Sequence, residues 1–482
     1  MGLKEKVVSG VVWSFAERFS AQLVSFAVSI VLARLIAPDA FGAIAMVLVF
    51  TNVLDTFATA GFGSALIQKK DADELDFSTV LIFNILFSCF LYVLLFFAAP
   101  YIAIFYNMPI IESVVQVIGI RVIMASINSV QRAYVSRQMQ FKKFFYATFS
   151  GTFISAIIGL SLALYGWGIW SLVVQYLTGS FVGIVVLWLV IEWRPRLMFS
   201  FKRLKFLFQF GWKILGTNLL STIYIELTDL IVGKMYNASS LAYYNRGKKF
   251  PQLVVTQINS SIDTVLFPAM SKHQDDSTKL KSDIRYSVQI SSFCIFPIIF
   301  VLAVLAEDVI RLLLTDKWIE SVIYLQIACI SYALLPLSLA NIQAIKAMGR
   351  SDIYLKLDIV KKIVGVSLLT CFFREGVVAI ALADAVSNVI GLLVNVFPNR
   401  KLMNYSLKDL LQDVAPAALL TLMTCLPLCI IDNYLLIKMP LWIKLLLEMM
   451  VASAIYIGAS RLTGNKTYSE IINIGKSLIS KK

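Results

Sequence analysis

The stretch WSFAERFSAQLVSFAVSIVLARLIAPDAFG, residues Trp13 to Gly42, decides the fold. It is long and apolar enough for a helix to cross a bilayer, which takes about 20 residues. Glu17 and Arg18 nevertheless interrupt the apolar run. On a helix with 3.6 residues per turn, one narrow face is polar and consists of Ser14, Arg18, Gln22, Ser25 and Ser29. Because a charge at mid-bilayer costs at least about 2.5 kcal/mol, this face is predicted to meet protein or water rather than lipid.

Two interpretations of this polar face follow from the residues alone. It is either the wall of a polar cavity, which we favour, or a seam in which small polar side chains hold two helices together. Arg18 lies near the end of the span, so its long side chain could also reach the membrane surface. The stretch therefore predicts a membrane helix with one face that lipid does not cover.

The composition places the whole chain in a membrane. Of its 482 residues, 59% are hydrophobic and 15% are charged, and the mean hydropathy is +0.80. This balance is typical of polytopic helical membrane proteins. The single histidine, His273, and six cysteines without metal-ligand spacing predict neither a metal site, nor a cofactor, nor a histidine-based catalytic site. The net charge of +14 lies in short loops, which argues against nucleic acid as a partner.

We predict an all-α polytopic fold with about fourteen membrane segments, because barrel strands alternate and do not form apolar runs of this length. The segments are 10–36, 40–66, 78–100, 111–135, 145–165, 168–191, 206–233, 251–269, 286–306, 319–345, 353–373, 376–397, 413–431 and 440–462. Basic residues concentrate in the tails and in the even-numbered loops, so the positive-inside rule predicts both termini in the cytoplasm. The basic stretch 243–250 is predicted as a loop on the other side or in the cavity.

The chain also repeats itself. LARLIAPDAFGA at 32–43 lies over VGKMYNASSLAY at 232–243, and the tetrapeptide IESV at 111–114 recurs at 319–322. The repeat predicts two six-helix lobes, residues 1–200 and 201–405, followed by two accessory helices and a tail, residues 406–482. Since six is even, the lobes have the same orientation, an arrangement typical of transporters with a site between the halves near the midplane.

The first helix of each predicted lobe carries a polar face at an equivalent place. In the first lobe this face includes Arg18, Gln22 and Ser29. At an offset of 200 residues, the equivalent positions are Asn218, Thr222 and Asp229, and Glu226 shares their face. Ionisable residues within membrane spans are functional candidates by default.

The charged candidates suggest two kinds of ligand. Arg18 and Arg121 are suited to an anion such as a phosphate or diphosphate. Carboxylate and amide oxygens are suited to a proton or Na⁺, and the candidates are Glu226, Asp229, Asp384 and Asn388.

Some of the intramembrane charges have a structural alternative. Arg121 would in that case neutralise Glu17 or Asp55. The pairs Asp55-Thr56 and Asp263-Thr264 would hydrogen-bond to backbone where helices bend or end.

The loops exclude several activities. There is no GxxxxGK[ST] motif, so the chain itself is not an ATP-driven pump. No predicted loop is long enough for a soluble catalytic domain, so we predict a transporter rather than an enzyme. A membrane-bound polymerase or ligase is a distant alternative.

Four stretches resemble a known family: WSFAERF at the start, LARLIAPDAFG after the first span, YYNRGKKFPQL at 243–253 and LFPAMSK at 266–272. They look like the Wzx-type polysaccharide-repeat flippases, in the colanic-acid and teichuronic-acid branch of the multidrug/oligosaccharidyl-lipid/polysaccharide (MOP) exporter superfamily. The resemblance implies two six-helix lobes that form a V around a central cavity, with two extra helices.

The resemblance also implies an activity. Members of the branch move undecaprenyl-diphosphate-linked oligosaccharide units across the bacterial inner membrane for surface polysaccharide and lipopolysaccharide biosynthesis, by alternating access coupled to H⁺ or Na⁺. Arg18 and Arg121 would engage the diphosphate, Gln22, Asn218 and Thr222 would line a sugar cavity, and Asp229 and Asp384 would serve the coupling ion. A polysaccharide polymerase and co-polymerase are the expected partners of a monomer. The alternative is a cation-coupled drug or metabolite antiporter of the same superfamily.

Overall fold

In the computed structural model, residues 3–59, 61–435 and 439–480 are described, and they are helical almost throughout, with no strand among them. Within these ranges, only the backbone is described for residues 3–9, 11, 260–265, 433, 435, 474, 475 and 477–480. The helices of the first half are α1 (Leu3–Leu35), α2 (Pro38–Thr59), α3 (Phe62–Gln68), α4 (Glu74–Tyr106), α5 (Ile110–Ile118), α6 (Ile120–Arg137), α7 (Lys142–Leu164), α8 (Ile169–Val190) and α9 (Phe201–Met235). Those of the second half are α10 (Ala238–Lys272), α11 (Ser277–Val304), α12 (Ala306–Leu314), α13 (Ser321–Ala347), α14 (Ser351–Phe372), α15 (Val377–Val396), α16 (Asn399–Met403), α17 (Leu407–Ile430), α18 (Leu441–Leu462) and α19 (Lys466–Ser480). A 3-10 turn, Asp316–Trp318, precedes α13, and a π-helical turn, Ile431–Leu435, continues α17.

The prediction of a polytopic helical membrane protein is confirmed. Among the described residues, twelve helical stretches are long and apolar enough to cross a membrane. The two other predicted segments, 251–269 and 353–373, lie within α10 and α14, which are 35 and 22 residues long. Helix α14 carries several charged residues between Asp352 and Lys362, and the middle of α10 is rich in glutamine, asparagine, serine and threonine, so both helices are less apolar than the other predicted spans.

One local prediction is wrong. The basic stretch 243–250 is not a loop, because α10 begins at Ala238 and continues through it. Pro251 lies inside this helix and made the boundary look like a helix start. The chain turns earlier, at the segment that joins α9 to α10.

The contacts divide the chain into two compact units, Met1–Ala242 and Tyr243–Lys482. Helix α9 belongs to the first unit, where it packs on α2, α3 and α4. The repeat assigns the same helix to the second lobe, and the lobe boundary at residue 200 stays a prediction.

Helix α9 is held at its beginning by the start of α4. Asp73 caps α4 in a reciprocal box with Asp76. From α9, the guanidinium of Arg203 lies 2.8 Å from Asp73 and 3.0 Å from Asp76, and Asp76 is fully buried. The backbone N–H of Ser200 also donates to the hydroxyl of Thr79 over 3.1 Å. The loop before α9 is therefore fixed to α4 by charge and by backbone hydrogen bonds.

The far end of α9 is held against α2. Pro38 and Asp39 open α2, a proline and an acidic residue in a first turn being a common helix start. A Cβ placed on Gly42 would lie 1.7 Å from the backbone oxygen of Ala238, at the start of α10. Gly233 near the end of α9 similarly faces Met46. The close approach of Gly42 to the Ala238 backbone and the packing of the Met46 side chain against Gly233 hold the end of α9 and the start of α10 against α2, near the site described next.

Candidate functional site

A polar network crosses three membrane helices of the first unit. Arg121 on α6 donates from Nη2 to the Asp55 carboxylate and to the Asn52 amide oxygen on α2, each over 2.6 Å. The Asn52 amide then donates to Oε1 of Glu226 on α9 over 2.9 Å. We call Asn52, Asp55, Arg121 and Glu226 the α2–α6–α9 network.

The helical repeat explains why these side chains meet. Asp55 and Thr56 lie three and four residues after Asn52, so both are on the same side of α2 as Asn52. Thr222 and Glu226 share a face of α9 for the same reason. The hydroxyls of Thr56 and Thr222 lie 3.1 Å apart, one helical turn along from the contact between Asn52 and Glu226. Hydrogen bonds therefore join the polar face of α2 to the polar face of α9 within the membrane spans.

The charges of the network do not cancel. It contains two carboxylates, of Asp55 and Glu226, and one guanidinium, of Arg121. The Arg121 and Asp55 side chains are only 18% and 21% exposed, so their ion pair is largely withdrawn from solvent. Only Asn52 contacts Glu226 within the network, through a neutral amide. The arrangement can therefore take up a further positive charge, such as a proton or a monovalent cation, next to Glu226.

The structural alternative for Arg121 receives direct support. Arg121 pairs with Asp55, one of the two carboxylates that the sequence analysis named. The other, Glu17, is buried against α7 instead, where it accepts a 2.7 Å hydrogen bond from Thr148 and lies 3.4 Å from Arg132. A substrate-binding role of Arg121 stays a prediction, and any anion there would compete with Asp55.

The polar face of α1 has a different environment. Arg18 is exposed and has no ion pair or hydrogen bond among the described residues. Gln22 is half-buried, Ser25 is exposed, and the hydroxyl of Ser29 bonds back to its own helix at the Phe26 carbonyl over 2.9 Å. Within the first unit, α1 packs mainly on α7, and it does so with the side that carries Glu17. The side that carries Arg18 is left accessible.

The remaining predicted residues of α9 also differ among themselves. Asn218 is exposed, whereas Thr222 and Glu226 are tied to α2. Asp229 is half-buried and, like Glu226, acts electrostatically on the hydroxyl of Tyr106. Both carboxylates therefore influence the same region of α4.

The other two coupling-ion candidates lie in the second unit, on α15. Asn388 is exposed and donates to the backbone oxygen of Asp384 over 2.9 Å. The Asp384 carboxylate lies 3.8 Å from Nζ of Lys248, which also donates to the Tyr244 hydroxyl over 2.9 Å. Asp384 thus already has an ammonium beside it. The side chain of Asp263 lies outside the described residues.

Asn52 and Lys248 were not predicted from the sequence as site residues. Asn52 carries no charge, so a search for ionisable residues passed over it, although its spacing of three and four residues from Asp55 and Thr56 was a usable signal. Lys248 was assigned to a loop, because the predicted segment 251–269 begins at Pro251.

Comparison with known proteins adds the family. The family described as "Polysaccharide biosynthesis protein" matches residues 31–323. The succinoglycan biosynthesis transport protein ExoT of Rhizobium meliloti (strain 1021) is 23% identical over 347 residues, which cover 72% of this chain and 70% of that protein. The lipopolysaccharide biosynthesis protein WzxC of Escherichia coli (strain K12) is 23% identical over 367 residues, covering 75% and 74%.

Among solved structures, the lipid II flippase MurJ in an inward closed conformation superposes with a TM-score of 0.76 at 14% identity, covering 96% of this chain and all of that one. This likeness shows a common fold. The names of ExoT and MurJ describe a transport protein and a flippase, in agreement with the prediction of a transporter rather than an enzyme. Since the family match spans more than half of the chain and includes part of each predicted lobe, the resemblance stated from the sequence is confirmed, and the chain belongs to the family described as "Polysaccharide biosynthesis protein".

Proposed function

We propose that this protein is a flippase that moves undecaprenyl-diphosphate-linked oligosaccharide units across the bacterial inner membrane by alternating access. The observation that carries the proposal is the α2–α6–α9 network, which maintains charged and amide groups inside membrane spans. Lipid does not tolerate such groups, so they are retained where they meet protein, water or a polar cargo. The family membership and the MurJ-like fold support the same activity.

The diphosphate is assigned chiefly to Arg18. Its guanidinium is exposed and has no ion pair among the described residues, so binding an anion displaces no carboxylate. Arg121 is compensated by Asp55 and adds less attraction. Planar guanidinium groups bind phosphate oxygens in pairs, which favours arginine over lysine for this role. Gln22 and Asn218 supply neutral polar groups for the sugar, whereas the Thr222 hydroxyl lies 3.1 Å from that of Thr56 and serves the contact between α2 and α9.

The coupling ion is assigned first to Glu226 and Asp229. Glu226 accepts a hydrogen bond from the neutral amide of Asn52, one helical turn from the contact between Thr56 and Thr222 that also joins α2 to α9. Protonation of Glu226, or cation binding to it, would weaken the hydrogen bond from Asn52 and loosen α9 from α2. Asp384 and Asn388 form a second candidate group, in which Lys248 already supplies a positive charge.

The test is a flipping assay with purified protein in liposomes that contain a labelled undecaprenyl-diphosphate oligosaccharide. The readout is protection of the sugar from an impermeant reagent. We expect protein-dependent movement between leaflets that is lost in Arg18→Ala. Phe19→Ala is the matched control, because it truncates an exposed neighbour on the same helix without removing a charge.

Three outcomes would change the proposal. Full flipping with Arg18→Ala would remove Arg18 from the mechanism. Absence of lipid movement together with transport of cationic dyes would favour the cation-coupled antiporter. A dependence of flipping on Na⁺ or pH should flatten in Asp229→Asn, and an unchanged dependence would count against a coupling role for Asp229.

A further inference from the structure

Three carboxylates and one ammonium meet in the second unit, away from the residues considered above. Asp308 lies in the first turn of α12, and Asp432 lies in the π-helical turn that follows α17. Lys444 and Glu448 lie one turn apart near the start of α18. Three separate segments therefore converge on this group, which we call the carboxylate cluster.

The oxygens of the carboxylate cluster have the spacing of metal ligands. One oxygen from each of Asp308, Asp432 and Glu448 lies within 4.8 Å of the others. Ca²⁺ binds oxygen ligands at about 2.3–2.6 Å, so ligands on opposite sides of the ion stand about 5 Å apart. The three oxygens thus fit around one Ca²⁺ ion without a large movement of the helices.

Glu448 supplies an independent indication of a ligand. Its side chain is fully buried, and neither of its carboxylate oxygens accepts a hydrogen bond from the described residues. The ammonium of Lys444 is 3.9 Å from Oε1, which is beyond hydrogen-bond reach. A buried ionised carboxylate without a hydrogen-bond donor is strongly unfavourable, so Glu448 either takes up a proton, which it can share with Asp432, or is stabilised by a bound cation.

Lys444 does not balance the cluster. Its Nζ lies 2.6 Å from Asp308 Oδ2 and also contacts Asp432, so one ammonium faces three carboxylates. When all are ionised, two negative charges remain. A divalent cation cancels both, and hard oxygen ligands select Ca²⁺ or Mg²⁺ over softer metals.

A π-helical turn at Asp432 fits this interpretation. Such turns are rare and occur frequently at functional sites, because they turn a side chain out of the regular α-helical positions. Here the turn brings a carboxylate from the end of α17 to the start of α18.

We propose that Asp308, Asp432 and Glu448 bind one divalent cation, with Ca²⁺ the ion of best fit. The ammonium of Lys444 occupies the centre of the cluster in this structure, and its flexible four-carbon chain lets it move aside when the ion enters. The bound ion joins α12, α17 and α18. On the orientation predicted from the basic loops, this end faces the outside of the cell. The proposal does not depend on the identity of the transported substrate.

The test is calcium binding to the purified full chain in a neutral detergent after treatment with a chelator. Isothermal titration should give one Ca²⁺ per chain, and added Ca²⁺ should raise the thermal unfolding midpoint. Both effects should be lost or weakened by about tenfold or more in Asp308→Asn and in Asp432→Asn, because each removes one charged ligand. Glu307→Gln is the matched control, since Glu307 precedes Asp308 but is exposed and pairs with Arg311.

Lys444→Met separates an ion site from a purely internal ion pair. With its internal ammonium removed, the site should bind Ca²⁺ more tightly than the original protein, and Ca²⁺ should restore the lost thermal stability. If Lys444→Met is destabilised and Ca²⁺ restores nothing, the lysine alone stabilises the cluster and the proposal fails. It fails equally if the original protein binds no Ca²⁺, or if Asp308→Asn and Asp432→Asn bind it as the original does.

Discussion

Helices α1 and α9 have equivalent places in the internal repeat, yet their polar faces have different surroundings. On α9, Thr222 and Glu226 contact complementary polar side chains of α2. On α1, the side chains of Arg18 and Gln22 have no such hydrogen-bond partner among the described residues, whereas Glu17, on another side, accepts a hydrogen bond from Thr148 of α7. Both of the interpretations offered for such a face therefore occur in one molecule.

This difference indicates that the role of a polar face depends on the helix that packs against it, rather than on its polar residues alone. Asn52 and Thr56 lie one helical turn apart on α2, so both can hydrogen-bond to the polar face of α9. Helix α7 presents Thr148 to the buried Glu17, and nothing comparable to Arg18. We therefore expect Thr222 of the α9 face to contribute mostly to stability and Arg18 of the α1 face mostly to transport.

Replacement of Arg121 should give the largest effect on stability. Arg121→Leu leaves the largely buried Asp55 without its cation, and breaking such a pair costs about 3 kcal/mol of unfolding free energy. The measurement is unfolding in detergent, followed by circular dichroism. The double replacement Arg121→Leu with Asp55→Leu should recover most of the loss, because no uncompensated charge remains. Equal losses in the single and double variants would show that the pair is not the cause.

The close approach of α2 and α10 should give the next effect. Gly42→Ala places a methyl group against the Ala238 carbonyl, and overpacking of this kind costs about 2–3 kcal/mol. Gly458→Ala in α18 is the matched control, since no other group lies within 4 Å of its Cβ and alanine favours the helix. If both variants unfold like the original protein, α2 and α10 are not closely packed at Gly42 in solution.

The sequence predicted the class of fold because the bilayer leaves few choices. Apolar runs of about 20 residues identify membrane helices without any knowledge of their contacts. The pairing of Arg121 with Asp55 was predicted as one alternative, since intramembrane charges seek partners. The choice between Asp55 and Glu17 depends on which helices are neighbours, and one sequence does not contain that information.

Three residues of the described clusters, Asn52, Lys248 and Glu448, were not predicted from the sequence, each for a different reason. Asn52 links Arg121 to Glu226, but a neutral amide in an apolar run gives little signal. Lys248 lies in α10, beside Asp384, because α10 begins well before Pro251. The prediction began the helix at Pro251, since proline is common in the first turn of a helix. Glu448 was overlooked in the apolar run 440–462, since the carboxylates beside it, those of Asp308 and Asp432, come from two segments distant in the sequence.

A smaller effect on stability is expected at the contact between the hydroxyls of Thr56 and Thr222. Thr222→Val removes the contact with Thr56, and one such hydrogen bond contributes about 1 kcal/mol. Thr56 keeps its bond to the Asn52 carbonyl, which limits the loss. Thr217→Val is the control, because Thr217 is exposed on the same helix and bonds only to its own backbone. A loss as large in Thr217→Val would point to helix propensity rather than to the contact between α2 and α9.

The smallest effect on stability is expected at Arg18, and it distinguishes the two faces most clearly. Arg18→Ala removes an exposed side chain without a described partner, so the unfolding free energy should change by no more than about 0.5 kcal/mol. The same variant should lose flipping in liposomes, whereas Thr222→Val should retain most of it. A destabilisation by Arg18→Ala that approaches the effect of Arg121→Leu would mean that α1, like α9, uses its polar face as a seam. Loss of transport without loss of stability is the combination that a cavity wall predicts, because the energy of such a residue appears only when the cargo is bound.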